Sequence, residues 1–241
     1  MRIILDTARL PTALSLKALA CCLLLTTVLL TPPAAAQYSE GSFVMLRGSS
    51  GSINLEGPAV TGEDEEIEGE DIDGDGFRLE GRFGFGDHWF LDARIGSVSY
   101  EELDLDRSAL GIGYRRVLRE GSWSWKGAFI AAAERAETDG LESFQSDPRF
   151  NGLGDGQGGS ENGLSLTFEA LGTRGPWELR AFTRYINLGD GDGPSFGLGA
   201  GYAFSDRWTV NAGFEGTWVE DSDIGIDIAE RHLFLGISRS F

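Results

Sequence analysis

Phe77-Arg78-Leu79-Glu80-Gly81-Arg82-Phe83-Gly84-Phe85, then Gly86-Asp87-His88, then Trp89-Phe90-Leu91-Asp92-Ala93-Arg94-Ile95-Gly96: the reading of this stretch decides the fold. On both sides of the short connection the odd positions are apolar or glycine, while every charge in the two runs falls on an even position. A period of two marks a strand with one apolar and one polar face, and three turn-forming residues between two such runs make a hairpin.

The same pattern continues along the chain. Leu110, Ile112 and Tyr114 alternate with Ala109, Gly111, Gly113 and Arg115. Trp123, Trp125, Gly127, Phe129, Ala131 and Ala133 follow after Arg119-Glu120-Gly121. The second half adds the rows Leu164 to Ala170, Trp177 to Tyr185, Phe196 to Phe204 and Trp208 to Trp218, and ends with Leu233, Leu235, Ile237, Arg239 and Phe241. The least regular run is the first, Ser42 to Ser49, with Phe43, Met45 and Arg47 on one parity. This makes ten runs, each near the roughly 9–11 residues that a tilted strand needs to cross a bilayer. Eight is the alternative if the first run pairs differently or one hairpin lies outside the membrane.

Connections after the even runs are short, and those after the odd runs, at 50–76, 100–107, 137–161, 189–194 and 220–230, are read as longer loops. An even number of strands joined by alternating short and long connections, with one apolar face, predicts an all-β, antiparallel, up-and-down transmembrane β-barrel. Trp89, Trp123, Trp177 and Trp208 each open a run after a short turn, and with Phe241 they form one expected aromatic girdle. Tyr100, Tyr185 and Trp218 are expected in the opposite girdle. A β-sandwich would not place four tryptophans at one level on the apolar parity.

Residues 1–36 read as a cleaved signal peptide. Arg2, Arg9 and Lys17 precede or enter an apolar run from Ala18 to Leu30, and Ala34-Ala35-Ala36 offers the small-residue cleavage site. Cys21 and Cys22 fall inside it, so residues 37–241, the barrel with its long acidic extracellular loops, carry no disulfide or thiol chemistry. The whole chain has 38 acidic and 20 basic residues, a net charge of −18, which argues against nucleic acid as a partner.

The polar parity should line the lumen, with Arg78, Arg82, Arg94, Arg115, Lys126, Arg180 and Arg184 against Glu80, Asp92, Glu134, Glu169, Glu178 and Glu215. Two readings stay open: a plug of ion pairs, or a charged water-filled pore. Gly197, Gly199 and Gly201, with Gly111 and Gly113, would either smooth a pore or make room for long arginines. The acidic residues crowd into the first and fifth long loops, and Asn151 to Gly159 forms a glycine-rich third loop. Asp71, Asp73, Asp75 and Gly76 match the start of a calcium loop, but the twelfth position is Arg82 where a bidentate glutamate is needed. Weak Ca²⁺ or Mg²⁺ binding is the expectation at these three aspartates, and no other cofactor is expected. The chain holds two histidines, His88 and His232, and no nucleophile motif accompanies either. It is therefore read as non-enzymatic, with a rim enzyme built on His232 the least favoured alternative.

With the signal, the alternating runs, the girdle and the Phe241 ending, the chain resembles the small outer-membrane β-barrel proteins of Gram-negative bacteria. These include the opacity-type surface proteins and the membrane domain of outer-membrane protein A, within the porin-like superfamily. The resemblance implies the cell outer membrane as location. It implies outer-membrane lipid, lipopolysaccharide and the barrel-assembly machinery as partners, and a monomer. It carries over no catalytic residue. A structural or surface-interaction role is expected, with a narrow porin-like channel for small solutes or ions as the alternative. Deleting Phe241 is expected to impair outer-membrane assembly more than any activity; an undiminished yield of heat-modifiable barrel from that deletion would count against the reading.

Overall fold

The computed structural model describes residues 42–58, 66–67, 71–101, 103–139, 159–189, 191–221 and 226–241. The expected signal peptide, most of the first acidic loop and the 151–158 part of the glycine-rich loop lie outside these residues. The strands are β1 (Phe43–Pro58), β2 (Glu66–Ile67), β3 (Asp71–Phe85), β4 (Trp89–Tyr100), β5 (Leu103–Arg119) and β6 (Ser124–Asp139). They continue with β7 (Ser160–Arg174), β8 (Trp177–Leu188), β9 (Gly191–Ala203), β10 (Trp208–Asp221) and β11 (Ile226–Ser240). From β3 onward each strand pairs antiparallel with its neighbours in sequence, β1 pairs with β3, and β11 returns to β1 from Phe43↔Ser240 to Glu56↔Asp227. The two-residue β2 pairs only with the end of β1. The result is a closed ten-stranded, up-and-down barrel. Among the described residues no helix is long and apolar enough to cross a membrane.

The register fixes the barrel's geometry. Val44 faces Gly81, which leads by successive pairs through Ala93, Leu110, Ala133, Leu164 and Asn187 to Asp192. Asp192 leads through Glu220 and Asp227 back to β1 at Glu56, twelve residues beyond the start. Ten strands with that stagger tilt by about 40° and enclose a ring about 20 Å across between backbones.

Side-chain burial is inverted relative to a water-soluble domain. Outward Leu110 is 63 % exposed and Leu164 67 %, whereas inward Glu169 is 3 % exposed and Glu215 5 %. A continuous apolar exterior of this kind has nothing to gain from water and matches a hydrocarbon solvent. Trp89 stacks edge-on against Tyr114 at 5.1 Å and Trp177 against Tyr202 at 5.0 Å, each pair directly opposite in register at the short-turn end. Arg239 interrupts the apolar row of β11. It lies opposite Trp208 and holds its guanidinium 5.6 Å from that ring's centre, a cation–π contact at the level where a long cation can reach headgroups.

Three sequence expectations change. Phe43, Met45 and Arg47 share a parity, but it is the inner one: Met45 and Arg47 are buried, and Leu46 meets the exterior. Tyr100 belongs to the even parity of β4, so it points inward and is fully buried instead of joining an outer girdle; Tyr185 does lie exposed on the outside. The loops expected at 100–107 and 189–194 are strand on both sides of tight turns, marked by Glu101 at φ 39° and Gly189 at φ 56°. The strands run on past the apolar belt because their inner residues there, Ile53, Leu103 and Leu105 with Tyr100, build a small apolar core. The extra ladder then satisfies backbone groups beyond the membrane as it does within it.

Glycines on the inner wall make room for phenylalanine rings and, at Gly96 and Gly236, for Arg78 and Arg47. A Cβ on Gly113 would lie 2.2 Å from the Phe90 ring, one on Gly197 2.3 Å from Phe182, and one on Gly213 2.6 Å from Phe234. Gly113→Val should therefore displace Phe90 and destabilise the barrel by about 1–3 kcal/mol, read as a lower urea midpoint in micelles. An unchanged midpoint would show that the ring has free space to move into.

Candidate functional site: the charged lumen

The alternation that makes the exterior apolar places the charges of every second position inside, where the strand tilt brings distant residues together. Glu169 on β7 receives Arg82 at 2.5 and 2.9 Å and Arg180 at 2.6 Å. Arg82 also donates to Asp92 at 3.0 Å, and Asp92 lies 3.0 Å from Arg94. Arg94 continues to Glu134 at 3.0 Å, which accepts from Ser165 at 2.5 Å. On the other side Arg180 reaches Glu80 at 3.3 Å, and Arg47 bridges Glu80 at 2.7 Å and Glu215 at 2.9 Å. Arg78 donates to Glu215 at 2.9 and 3.0 Å, and Arg184 stands 3.8 Å from it while donating to Thr167 at 3.2 Å. These contacts form one network from Glu134 to Arg184, drawn from seven of the ten barrel strands. Buried charges persist only when paired and hydrogen-bonded, and each of these carboxylates has at least two polar partners.

The phenylalanine rings are part of the same packing. Arg47 lies over Phe234 at 4.6 Å, Arg82 over Phe90 at 4.8 Å and Arg184 over Phe182 at 5.1 Å. Each guanidinium thus meets a ring face and a carboxylate, which fixes its plane as well as its charge.

Toward the end opposite the short turns lies a second cluster. Glu230 receives Arg107 at 2.5 and 2.9 Å, and the Tyr100 hydroxyl shares a 2.8 Å hydrogen bond with Nε2 of His232. That nitrogen lies 3.8 Å from Glu230. Gly51 and Gly74 leave space for this pair, since a Cβ on Gly74 would fall 2.3 Å from the Tyr100 ring and one on Gly51 2.6 Å from Nδ1 of His232. Above it sit Ile53, Leu103 and Leu105, with Ile72, Val98 and Ile228 packed against them. Between these layers the interior keeps cavities of about 20 and 30 Å³, room for one or two waters each.

All thirteen lumen charges predicted from parity face inward. Sequence reasoning missed Arg47, Arg107 and Glu230. The signal for Glu230 was available, because it shares its parity with His232, but both were assigned to a loop and a rim. His232 is buried against Tyr100, and His88 stands exposed in the β3–β4 turn, 5.4 Å from Tyr114. Asp71, Asp73 and Asp75 lie exposed on β3, all on its outward parity. An extended strand spaces such side chains about 7 Å apart, and no group of three or more His, Cys, Asp or Glu that could hold a metal is found among the described residues.

Fold and lumen together define a closed β-barrel of the outer-membrane type. Among solved structures the chain is similar to neisserial surface protein A (10 % identity, 84 % of this chain and 100 % of that one, TM-score 0.41). It is also similar to Ail of Yersinia pestis (15 %, 84 % and 99 %, 0.35) and to the outer-membrane protease OmpT of Escherichia coli (9 %, 86 % and 99 %, 0.43). No protein-family model and no curated protein matches. The barrel assignment rests on the strand register, not on these likenesses.

Glu169 is the hub of the network, so Glu169→Gln should leave Arg82 and Arg180 under-compensated and cost about 3–5 kcal/mol in denaturant unfolding. Glu120→Gln, on an exposed turn, should stay within about 0.5 kcal/mol. Equal effects would show that the inner charges are screened by water.

Proposed function

We propose that the chain is an integral protein of the bacterial outer membrane, with its short turns in the periplasm and its long loops outside. Its barrel is closed and non-enzymatic, and it serves a structural or surface-interaction role through its acidic extracellular part. The observation that carries this reading is the continuous Glu134-to-Arg184 network lying beneath the apolar cluster around Tyr100. Between them these two layers place side chains from opposite sides of the ring in contact across the described lumen.

The extracellular wall supports the surface role. Asp104 lies directly opposite Asp139, and Asp106 opposite Glu137, all on the outward parity of β5 and β6. Like charges facing across strands repel. Together with Asp71, Asp73 and Asp75 they give the wall a negative potential that attracts divalent cations and basic partners. Ca²⁺ or Mg²⁺ held weakly here would bridge the wall to the phosphates of lipopolysaccharide. Assembly as a monomer through the barrel-assembly machinery completes the reading.

In planar bilayers the purified chain should be silent. Sustained, ion-selective openings would replace this reading with that of a narrow channel for small solutes or ions.

A further inference from the structure

The outer wall of the barrel carries its charges only at its two borders, and the borders differ in sign. Toward the short turns, the outward rows of the described strands hold Arg116 and Arg119 on β5, Arg174 on β7 and Arg239 on β11, and no Asp or Glu. The carboxylates of that end, Asp87, Glu120 and Asp206, sit beyond the strands on the turn tips, with Arg207 beside them. Toward the opposite border the outward rows hold the aspartates of β3 and the facing acidic pairs of β5 and β6. Two cations stand among them, Arg231 on β11 and an Arg135 that Glu137 holds at 2.7 Å.

Register sets each short-turn arginine beside the aromatic girdle. Arg119 lies directly opposite Trp125, Arg174 opposite Trp177 and Arg239 opposite Trp208. Arg116 follows Tyr114 by two residues on the same face of β5. Residues directly opposite on antiparallel strands share a face, so each cation stands next to a ring that prefers the level where hydrocarbon meets headgroups. The stem of such an arginine lies on apolar surface while its guanidinium reaches the headgroup oxygens. Arg116, Arg119 and Arg174 are exposed, and none of the three has an ion-pair partner among the described residues, unlike the arginines of the lumen network. A guanidinium free of carboxylates is a fork-shaped donor that fits a phosphodiester. A zwitterionic headgroup offers the same phosphate but carries its own cation beside it. Four arginines on a wall without carboxylates therefore select a headgroup of net negative charge.

We propose that this border is a binding surface for anionic phospholipid headgroups in the leaflet at the short-turn end, with Arg116, Arg119, Arg174 and Arg239 donating to their phosphates. That this leaflet is the periplasmic one rests on the orientation proposed above; the lipid preference does not.

Tryptophan quenching in vesicles tests it, because five of the six tryptophans, all but Trp218, lie at this end. The purified chain is placed in phosphatidylcholine mixed with dibrominated phosphatidylglycerol, and the binding constant of the anionic lipid relative to the zwitterionic one is read from the quenching. That constant should be about threefold or more at low salt and fall to about one in half-molar salt, where exposed charges are screened. Arg116→Gln, Arg119→Gln, Arg174→Gln and Arg239→Gln together should bring it to about one at low salt as well. Arg135→Gln with Arg231→Gln, at the other border, should leave it unchanged. Heat-modifiable migration confirms that each variant is folded. If the four-site variant does not fold, the three-site variant that keeps Arg239 on Trp208 should lose most of the preference, and lysine at all four sites should keep it. A constant near one for the native chain, a preference that survives half-molar salt, one that persists in the folded glutamine variants, or one removed equally from the other border would each overturn the proposal. On intact cells Glu120→Cys should be unreactive to a membrane-impermeant maleimide. Labelling there would reverse the proposed orientation and leave the lipid preference standing, whereas an unlabelled turn on a barrel without the preference would sink this proposal alone.

Discussion

A ring of ten tilted strands encloses a space that has to be filled by the inward side chains of those same strands, and everything else in this barrel depends on how that is done. The lipid-facing parity is constrained to be apolar, so the other parity is free to be polar, and here it is heavily charged. Taking an ion out of water costs several kcal/mol unless partners replace the lost hydration. The barrel meets that cost by letting each carboxylate serve more than one guanidinium. Glu169, Glu80 and Glu215 each lie within ion-pair distance of two or more arginines. Because those arginines come from strands on opposite sides of the ring, the pairing is also a set of cross-braces. Stability and closure are the same interaction seen from two directions.

Glycine makes the bracing geometrically feasible. A charged network alone would leave gaps between long, thin side chains. Phe90, Phe182 and Phe234 fill them by packing against Gly113, Gly197 and Gly213, and each turns a ring face toward an arginine. The order from wall to axis is glycine, ring, guanidinium, carboxylate. An alanine at any of those glycines would push the ring, the ring would push the arginine, and the ion pair would lengthen. The inner glycines are therefore coupled to the electrostatics although they carry no charge.

Alternation made the strands, their pairing order and thirteen of the inner charges legible in the sequence, because period two is read without knowing any partner. Parity failed where the apolar rule was applied to size instead of position. Tyr100 looks like a girdle residue because it is a tyrosine near a strand end, although its even number on β4 sets it inside. Arg47 was ambiguous because β1 carries apolar residues, Phe43 and Met45, on its inner side, so composition and parity disagreed there. The extent of the strands was not legible at all. Nothing local distinguishes a polar loop from a strand whose outer face meets water, and the difference is decided by Ile53, Leu103, Leu105 and Tyr100 meeting across the ring. The identity of the partners in each ion pair was equally out of reach, since it depends on a stagger of twelve residues that only the closed register reveals.

The two ends of the barrel answer different physical demands. At the far end an apolar cluster sits over the Tyr100–His232 pair, and the wall outside it is acidic. At the short-turn end the interior opens into a cavity lined by Arg82, Arg115, Lys126 and Arg180 together with Glu169 and Glu178. A plug needed only for stability would have no reason to differ so much between its ends, since pairing and packing are satisfied equally well by a symmetric filling. The asymmetry instead separates two surfaces of opposite sign by a layer of ion pairs that is neutral to within one charge.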